Sequence, residues 1–309
     1  MEDLIFEPQA KLLWHGDRVK EWLNTGRARP ILVEISPTGY CNAKCSFCFF
    51  EDKHSKDKID TEVMLRTLED LKTLGVQAIN WTGGGEPSIH PDFAQFVKLA
   101  HKLGIKQGIF TNSYRELPHQ ELFEWIRVSY TEYDFEKSIA HINKPHVPFG
   151  MRLNHVKEYT DQELIDYCVG TKNFGAKYFQ ITPALEASWR DQPIIECPDF
   201  LKEYEDDNFN VHVNGYKYDN AITPKNYPDC YGYLFCPSID WMGNITVCLY
   251  LTLDPRYILG DLNKESVLDI WKRVVAKVPV IEKCQNCCKN DINNRLLYKV
   301  KNISNVDFL

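Results

Sequence analysis

Apolar residues along this chain fall alternately into short runs and helical stripes. Residues 31–35 form an apolar run closed by Ser36-Pro37, the mark of a buried strand. Residues 60–74 carry helical spacing, with Asp60 or Thr61 as cap and Gly75 as stop. Residues 77–82 read as the next strand and lead into Gly83-Gly84-Gly85. In 91–103, Phe93, Phe96, Val97 and Ala100 recur at i, i+3, i+4 and i+7, and Gly104 ends the helix. Strands are predicted at 105–111, 127–130, 149–156 and 178–182, with helices near 118–126 and at 161–174 between them. A shorter helical stretch covers 17–23.

Six strands that alternate with helices imply a parallel sheet covered by helices. Apolar strands without strict alternation fit burial on both faces. The natural candidate is an open or partial (β/α) barrel, whose ligand sits at the C-terminal ends of the strands. The loop after 31–35 and the glycine run after 77–82 both belong on that rim. The alternation stops after Pro183. Residues 184–229 read as irregular apart from a strand at 209–213. Residues 239–249 read as a hairpin turning at Met242-Gly243-Asn244, and 266–278 as an amphipathic helix. The expected organisation is a lead-in over 1–30, an α/β unit over 31–183 and a smaller α+β domain over 184–309. There is no internal repeat or low-complexity tract.

Composition narrows the class. The 309 residues, 44% of them hydrophobic, suffice for one large core with a small appended domain. A formal net charge of -7, with 26% charged residues, gives no reason to expect nucleic acid or an anionic membrane as partner. No apolar run approaches the roughly 18 residues that span a bilayer, and the acidic N-terminus lacks a signal-peptide layout. The expectation is a soluble, cytoplasmic protein. Eleven cysteines are many for that compartment, where thiols stay reduced and disulfide scaffolds are rare. Their grouping into two sets suggests two metal sites.

The first set, Cys41-Asn-Ala-Lys-Cys45-Ser-Phe-Cys48, has the spacing C-x3-C-x2-C. Three thiolates in one loop can hold three irons of a cubane and leave the fourth open to a chelating ligand. A structural zinc site is the bland alternative, but zinc favours paired C-x2-C units and no fourth ligand lies nearby. Thr82-Gly83-Gly84-Gly85-Glu86-Pro87 follows one βα unit later. Its glycines let the backbone approach a ligand, and Glu86 can accept a hydrogen bond from an ammonium group. Together these segments resemble the radical S-adenosylmethionine (SAM) superfamily. The resemblance implies a partial (β/α)6 barrel and a [4Fe–4S] cluster on Cys41, Cys45 and Cys48 whose open iron is chelated by SAM. It also implies Phe47 beside the adenine, and Gly84, Gly85 and Glu86 at the SAM amino group. Asn112 and Ser129 lie at later strand ends and Arg152 on the fifth strand; all three are weaker candidates for touching SAM, and Arg152 is with Cys197 a candidate for a catalytic role.

The second set comprises Cys230, Cys248, Cys284 and Cys287, with Gly243 five residues before Cys248. It resembles the twitch domain, the shortened form of the SPASM extension, which carries one auxiliary [4Fe–4S] cluster. Cys236 could replace Cys230, and zinc on four cysteines uses similar spacing. No cysteine follows Cys288, so a second auxiliary cluster lacks ligands. Cys168 falls on an apolar helical face and reads as core. Cys197 is either inert or a hydrogen-atom donor to substrate. The chemistry implied by the resemblance is reductive cleavage of SAM to methionine and a 5′-deoxyadenosyl radical, which abstracts a substrate hydrogen. The electron would come from a donor such as flavodoxin or ferredoxin. An auxiliary cluster that takes an electron back makes net oxidation of a small molecule or carbohydrate the expected outcome. Epimerisation or crosslinking of a ribosomal peptide is the alternative. A non-catalytic iron–sulfur electron carrier is the alternative from another class, though a carrier has no use for the Gly-Gly-Glu segment.

Overall fold

A computed structural model describes residues 8–131, 139, 141–142, 147–184, 195–220, 225–274, 278–280 and 290–304. Helices α1 (Pro8–Trp14) and α2 (Gly16–Thr25) precede the sheet. Strands β1 (Leu32–Ile35), β2 (Ala78–Trp81), β3 (Lys106–Thr111), β4 (Trp125–Ser129), β5 (Phe149–His155), β6 (Tyr178–Pro183) and β7 (Asn210–Val213) pair in parallel in that order. Helices α3 (Thr61–Leu74), α4 (Phe93–Lys102) and α5 (Asp161–Phe174) lie between them in sequence, and α6 (Gly215–Asn220) follows β7. Strand β8 (Asp229–Cys230) pairs with the later β12 (Val278–Pro279). Strand β9 (Ser238–Ile239) runs parallel to β1, and β10 (Asn244–Thr246) and β11 (Ile258–Asp261) follow antiparallel. Helices α7 (Val267–Arg273) and α8 (Asp291–Asn302) complete the described elements. Among the described residues the main sheet thus holds ten strands in the order β11-β10-β9-β1-β2-β3-β4-β5-β6-β7.

Local chemistry sets the helix limits. The Asp60 carboxylate accepts the Glu62 and Val63 N–H groups at the start of α3, and Gly75 ends it with φ 87°. Thr160 and Glu163 form a capping box at the start of α5. Met64, Leu68 and Leu71 of α3 and Phe93, Phe96, Val97 and Ala100 of α4 are buried against the strands. Each large side chain buried this way contributes about 1.5–3 kcal/mol.

Three expectations change. The helix near 118–126 is a single 3-10 turn, Gln120–Leu122, and β4 already begins at Trp125. Pairing with β3 overrides the local pattern, since Gly108 leaves room for the Trp125 ring, which a Cβ there would meet at 2.1 Å. The parallel series does not end at β6. Strand β7 continues it, and the described part of the connection holds only the 3-10 helix Asp199–Tyr204, so no amphipathic stripe announces it. The helix at 266–278 is cut to α7, capped by Ser266, and Val278 belongs to β12.

The strands also differ from the expected two-sided apolar pattern. Ile126 and Val128, Met151 and Leu153, Phe179 and Ile181, and Val211 and Val213 point to one face and are buried. Arg127 and Ser129, Arg152 and Asn154, and Gln180, His212 and Asn214 occupy the other and line a cavity. The second half of the sheet therefore alternates, with its polar face inward.

Candidate functional site

The loop after β1 is stitched to itself before it presents its cysteines. Gly39 N–H donates to Asp57 O at 2.9 Å, Ser55 N–H to Gly39 O at 3.1 Å, and Cys48 N–H to Cys45 O at 3.0 Å. Cys41, Cys45 and Cys48 are half-buried and line one wall of a cavity of 740 Å³. Phe47, Gly84, Gly85, Glu86, Asn112, Ser129 and Arg152 line the same cavity. Cys41 Sγ accepts from Ala43 N–H at 3.4 Å and from Asn112 Nδ2 at 3.7 Å, and His54 Nε2 lies 3.7 Å from Cys48 Sγ. Burial pushes the Cys41 thiol up to about 11, with the Glu86 and Cys48 charges adding to it, and burial likewise raises Cys48. Metal ligation must therefore displace these protons.

Three half-buried thiols on one wall are a donor set that suits a cubane. Among the described residues no three His, Cys, Asp or Glu side chains converge on a single metal position. Thiolates that each take a different iron need only share a wall.

The glycine run has no room for side chains. A Cβ on Gly83 would lie 1.6 Å from Gly85 O, one on Gly84 1.8 Å from Trp241 Cζ3, and one on Gly85 2.0 Å from Tyr40 O. Glu86 follows, 3% exposed. Its Oε1 accepts from Ser88 N–H, Ser88 Oγ and Thr111 Oγ1 at 3.2, 2.7 and 2.8 Å, and its Oε2 from Asn112 N–H at 2.7 Å. Burial raises its pKa, and these four donors oppose the rise. The Asn112 side chain in turn donates to Asn42 Oδ1 at 2.8 Å. Glu86 and Asn112 thus join the ends of β2 and β3 to the cysteine loop.

Across the cavity, Ser129, Arg152, Gln180 and His212 stand in register on four neighbouring strands. Arg152 Nη2 donates to Asn154 Oδ1 at 3.0 Å and Thr182 Oγ1 at 2.9 Å. Arg127 Nε donates to Tyr178 Oη at 3.0 Å, and its guanidinium lies 5.0–5.4 Å from the ring centroids of Phe110, Trp125 and Tyr178. Sequence reading missed Arg127, Gln180, His212, Asn214 and Lys217, all on the cavity wall. The alternation of polar and apolar positions in β4–β7 was the available signal.

Cys197 is not among the cavity's described lining. It lies beside Asp199, and burial followed by that carboxylate pushes it up to about 11. Cys168 is buried in the core. Of the second cysteine set, Cys230 sits in β8 and accepts Asn294 Nδ2 at 3.3 Å, and Cys248 is buried just after β10. Cys236 lines the main cavity instead. Cys284 and Cys287 lie outside the described residues.

The segment bearing Cys248 packs on the first cysteine loop. Trp241 meets Phe50 edge-on at 6.3 Å, and Tyr250 meets Phe49 at 4.9 Å. A Cβ on Gly39 would lie 2.6 Å from Trp241 Nε1, so this indole sits against both the cysteine loop and the glycine run. Among the described residues no helix is long and apolar enough to cross a membrane.

Comparison with known proteins agrees with this geometry. Residues 35–144 match the Radical SAM superfamily, and residues 230–288 match the SPASM iron–sulfur cluster-binding domain. A SAM-dependent nucleotide dehydratase of Selenomonas ruminantium is 40% identical over 81 residues, 26% of this chain and 29% of that protein. The chain thus spans under a third of that relative. A second nucleotide dehydratase, from Flammeovirga pacifica, is 24% identical over 220 residues, 61% of this chain and 73% of that one. The crystal structure of Streptococcus suis SuiB bound to SAM is similar in fold, with a TM-score of 0.58 and 17% identity over 85% of this chain and 71% of SuiB.

Proposed function

Because the chain is a radical SAM enzyme with a C-terminal SPASM iron–sulfur domain, we propose that it abstracts a hydrogen atom from a small molecule or carbohydrate held in the 740 Å³ cavity, with net oxidation as the outcome. The observation that carries this reading is that half-buried thiols, a glycine run and a polar strand face share one cavity. Its volume is that of a small-molecule site. The nucleotide dehydratases act, by their names, on small molecules.

When bound, the cluster and SAM supply reductive C–S cleavage and a 5′-deoxyadenosyl radical. The chain's own residues hold and orient. In this reading Cys41, Cys45 and Cys48 ligate the first cluster. The backbone of Gly84 and Gly85 would approach the SAM amino group, and Glu86 and Asn112 would fix the loops around it. Phe47 would lie beside the adenine, while Ser129 and Arg152 would face the ribose or carboxylate side. Cys230, Cys248, Cys284 and Cys287 hold the auxiliary cluster, and an external flavodoxin- or ferredoxin-type donor supplies the electron.

Anaerobic reconstitution tests the assignment. Two cubanes give about eight irons per chain, and replacing Cys41, Cys45 and Cys48 together with Ala should leave about half. Adding SAM and dithionite should yield 5′-deoxyadenosine in the native protein and none in the triple variant. Full iron retention in that variant, or no 5′-deoxyadenosine from the native protein, would overturn the reading.

A further inference from the structure

We propose that His54 is a positioning residue for the first cluster: its Nε2–H donates to the Cys48 sulfur and makes the cluster easier to reduce. The inference deepens the proposed function and rests on its reading of Cys41, Cys45 and Cys48 as the cluster's ligands.

The backbone brings His54 back to Cys48, six residues earlier in the chain. Glu51 N–H donates to Cys48 O at 3.2 Å and Lys53 N–H to Phe50 O at 2.8 Å, which closes the 3-10 turn Glu51–Lys53. His54 N–H donates to Glu51 O at 3.4 Å, and His54 leaves the turn in an extended conformation. The next residue, Ser55, is tied to Gly39 O. A residue held on both sides has little backbone freedom left to lose when its ring is aimed. Its Nε2 stands 3.7 Å from Cys48 Sγ, and the side chain lines the cavity that the three thiols share.

Chemistry sets the direction of this contact. A cysteine that ligates iron is a thiolate, and the thiolate sulfur can only accept. A neutral imidazole carries its hydrogen on one of its two nitrogens. Ligation by Cys48 therefore selects the tautomer with the hydrogen on Nε2, facing the sulfur. Such a bond strengthens as negative charge builds on the acceptor, so it favours the reduced cluster over the oxidised one. Hydrogen bonds to the sulfurs are among the features that set a cluster's potential.

The surroundings give this donor a task. Two carboxylates bear on these sulfurs, Glu86 on Cys41 and Glu51 on Cys48. Negative charge nearby makes an added electron more costly, and N–H donors offset it. Cys41 has Ala43 N–H and the Asn112 amide, and Cys48 has Phe50 N–H and His54. Asn112 also binds Glu86 and Asn42, so changing it disturbs three segments. His54 belongs to the cysteine loop itself, which makes it the cleaner residue to test.

Redox titration of the reconstituted holoenzyme, followed by electron paramagnetic resonance, reads the effect. The signal whose g values change on adding SAM belongs to the first cluster, which separates it from the auxiliary one. His54→Leu should lower the midpoint potential of that signal by about 59 mV, a tenfold weaker reduction equilibrium for one electron. His54→Gln, whose amide keeps an N–H at a similar reach, should restore most of it. Both variants should keep the native iron content, because a donor to sulfur is not a ligand to iron. A merely structural role would lower the melting temperature and leave the potential where it is. An unchanged potential in His54→Leu, an equal fall in both variants, or loss of first-cluster iron in either overturns the proposal. Absence of any SAM-sensitive signal in the native protein would instead strike the underlying reading of the three cysteines.

Discussion

Glu86 is the residue on which three segments of the site meet. Its carboxylate receives Asn112 N–H, the Thr111 hydroxyl and both donors of Ser88, and Asn112 passes the link to Cys41 and Asn42. Glu86→Gln would turn one acceptor into an NH2 facing donors. A buried group left unsatisfied costs on the order of 1–3 kcal/mol. We expect Glu86→Gln to keep its iron, to melt lower and to bind SAM more weakly; an unchanged SAM dissociation constant by calorimetry would sink this. How much of the site the sequence discloses follows from such geometry. Cys41, Cys45, Cys48 and the glycine run are legible because each group sits within one loop, where spacing is visible. The row Ser129, Arg152, Gln180 and His212 takes one residue from each strand, so only the register brings it together. Ser129 could be singled out as a strand-end polar residue and Arg152 as a charge within β5, whereas Gln180 and His212 show only through the alternation of polar and apolar positions.

At the scale of elements, the β9–β10 hairpin is what joins the two cysteine groups. Its Trp241 is 1% exposed and fills the space that Gly39 and Gly84 leave open. Gly39 stands two residues before Cys41, and Phe50, which Trp241 also meets, stands two after Cys48. Gly84→Ala should therefore collide with the indole and lose SAM binding while keeping iron. Trp241→Leu alone should weaken SAM binding, the loss of part of a buried aromatic costing up to about 3–5 kcal/mol of stability. Combined, the two changes should recover part of the affinity, since the smaller side chain makes room for the added methyl. A double variant no better than Gly84→Ala alone would argue against this contact as the cause. Elements with strong caps, such as α3 and α5, were readable nearly to the residue. The place of β7 beside β6 and the extent of α7 were not, because the pairing of β7 with β6 and of β12 with β8 decides them.

For the molecule as a whole, the question is whether the auxiliary cluster serves catalysis or only staples its domain. Small metal-bearing domains with thin cores often depend on the metal to fold. Here the described part of the C-terminal region already has other supports. Strand β9 extends the main sheet beside β1, and Trp271 Nε1 donates to Ala28 O at 2.7 Å. Ile245, Leu262, Val267 and Ile270 are buried in the common core. None of these contacts is made by a cysteine, so removing the cluster should leave a folded chain. The segment around Cys248 also lies against the first cysteine loop through Tyr250–Phe49 and Trp241–Phe50. That proximity suits an electron acceptor for the substrate radical. We therefore expect Cys284→Ala combined with Cys287→Ala to stay soluble, to keep about half of the iron and to go on cleaving SAM, while product formation fails. Size-exclusion chromatography, iron analysis and separate assays of 5′-deoxyadenosine and product read these outcomes independently. A soluble double variant that turns over substrate normally would assign the cluster a purely structural role. An aggregated one would show that the packing around β9 and α7 does not hold the region by itself.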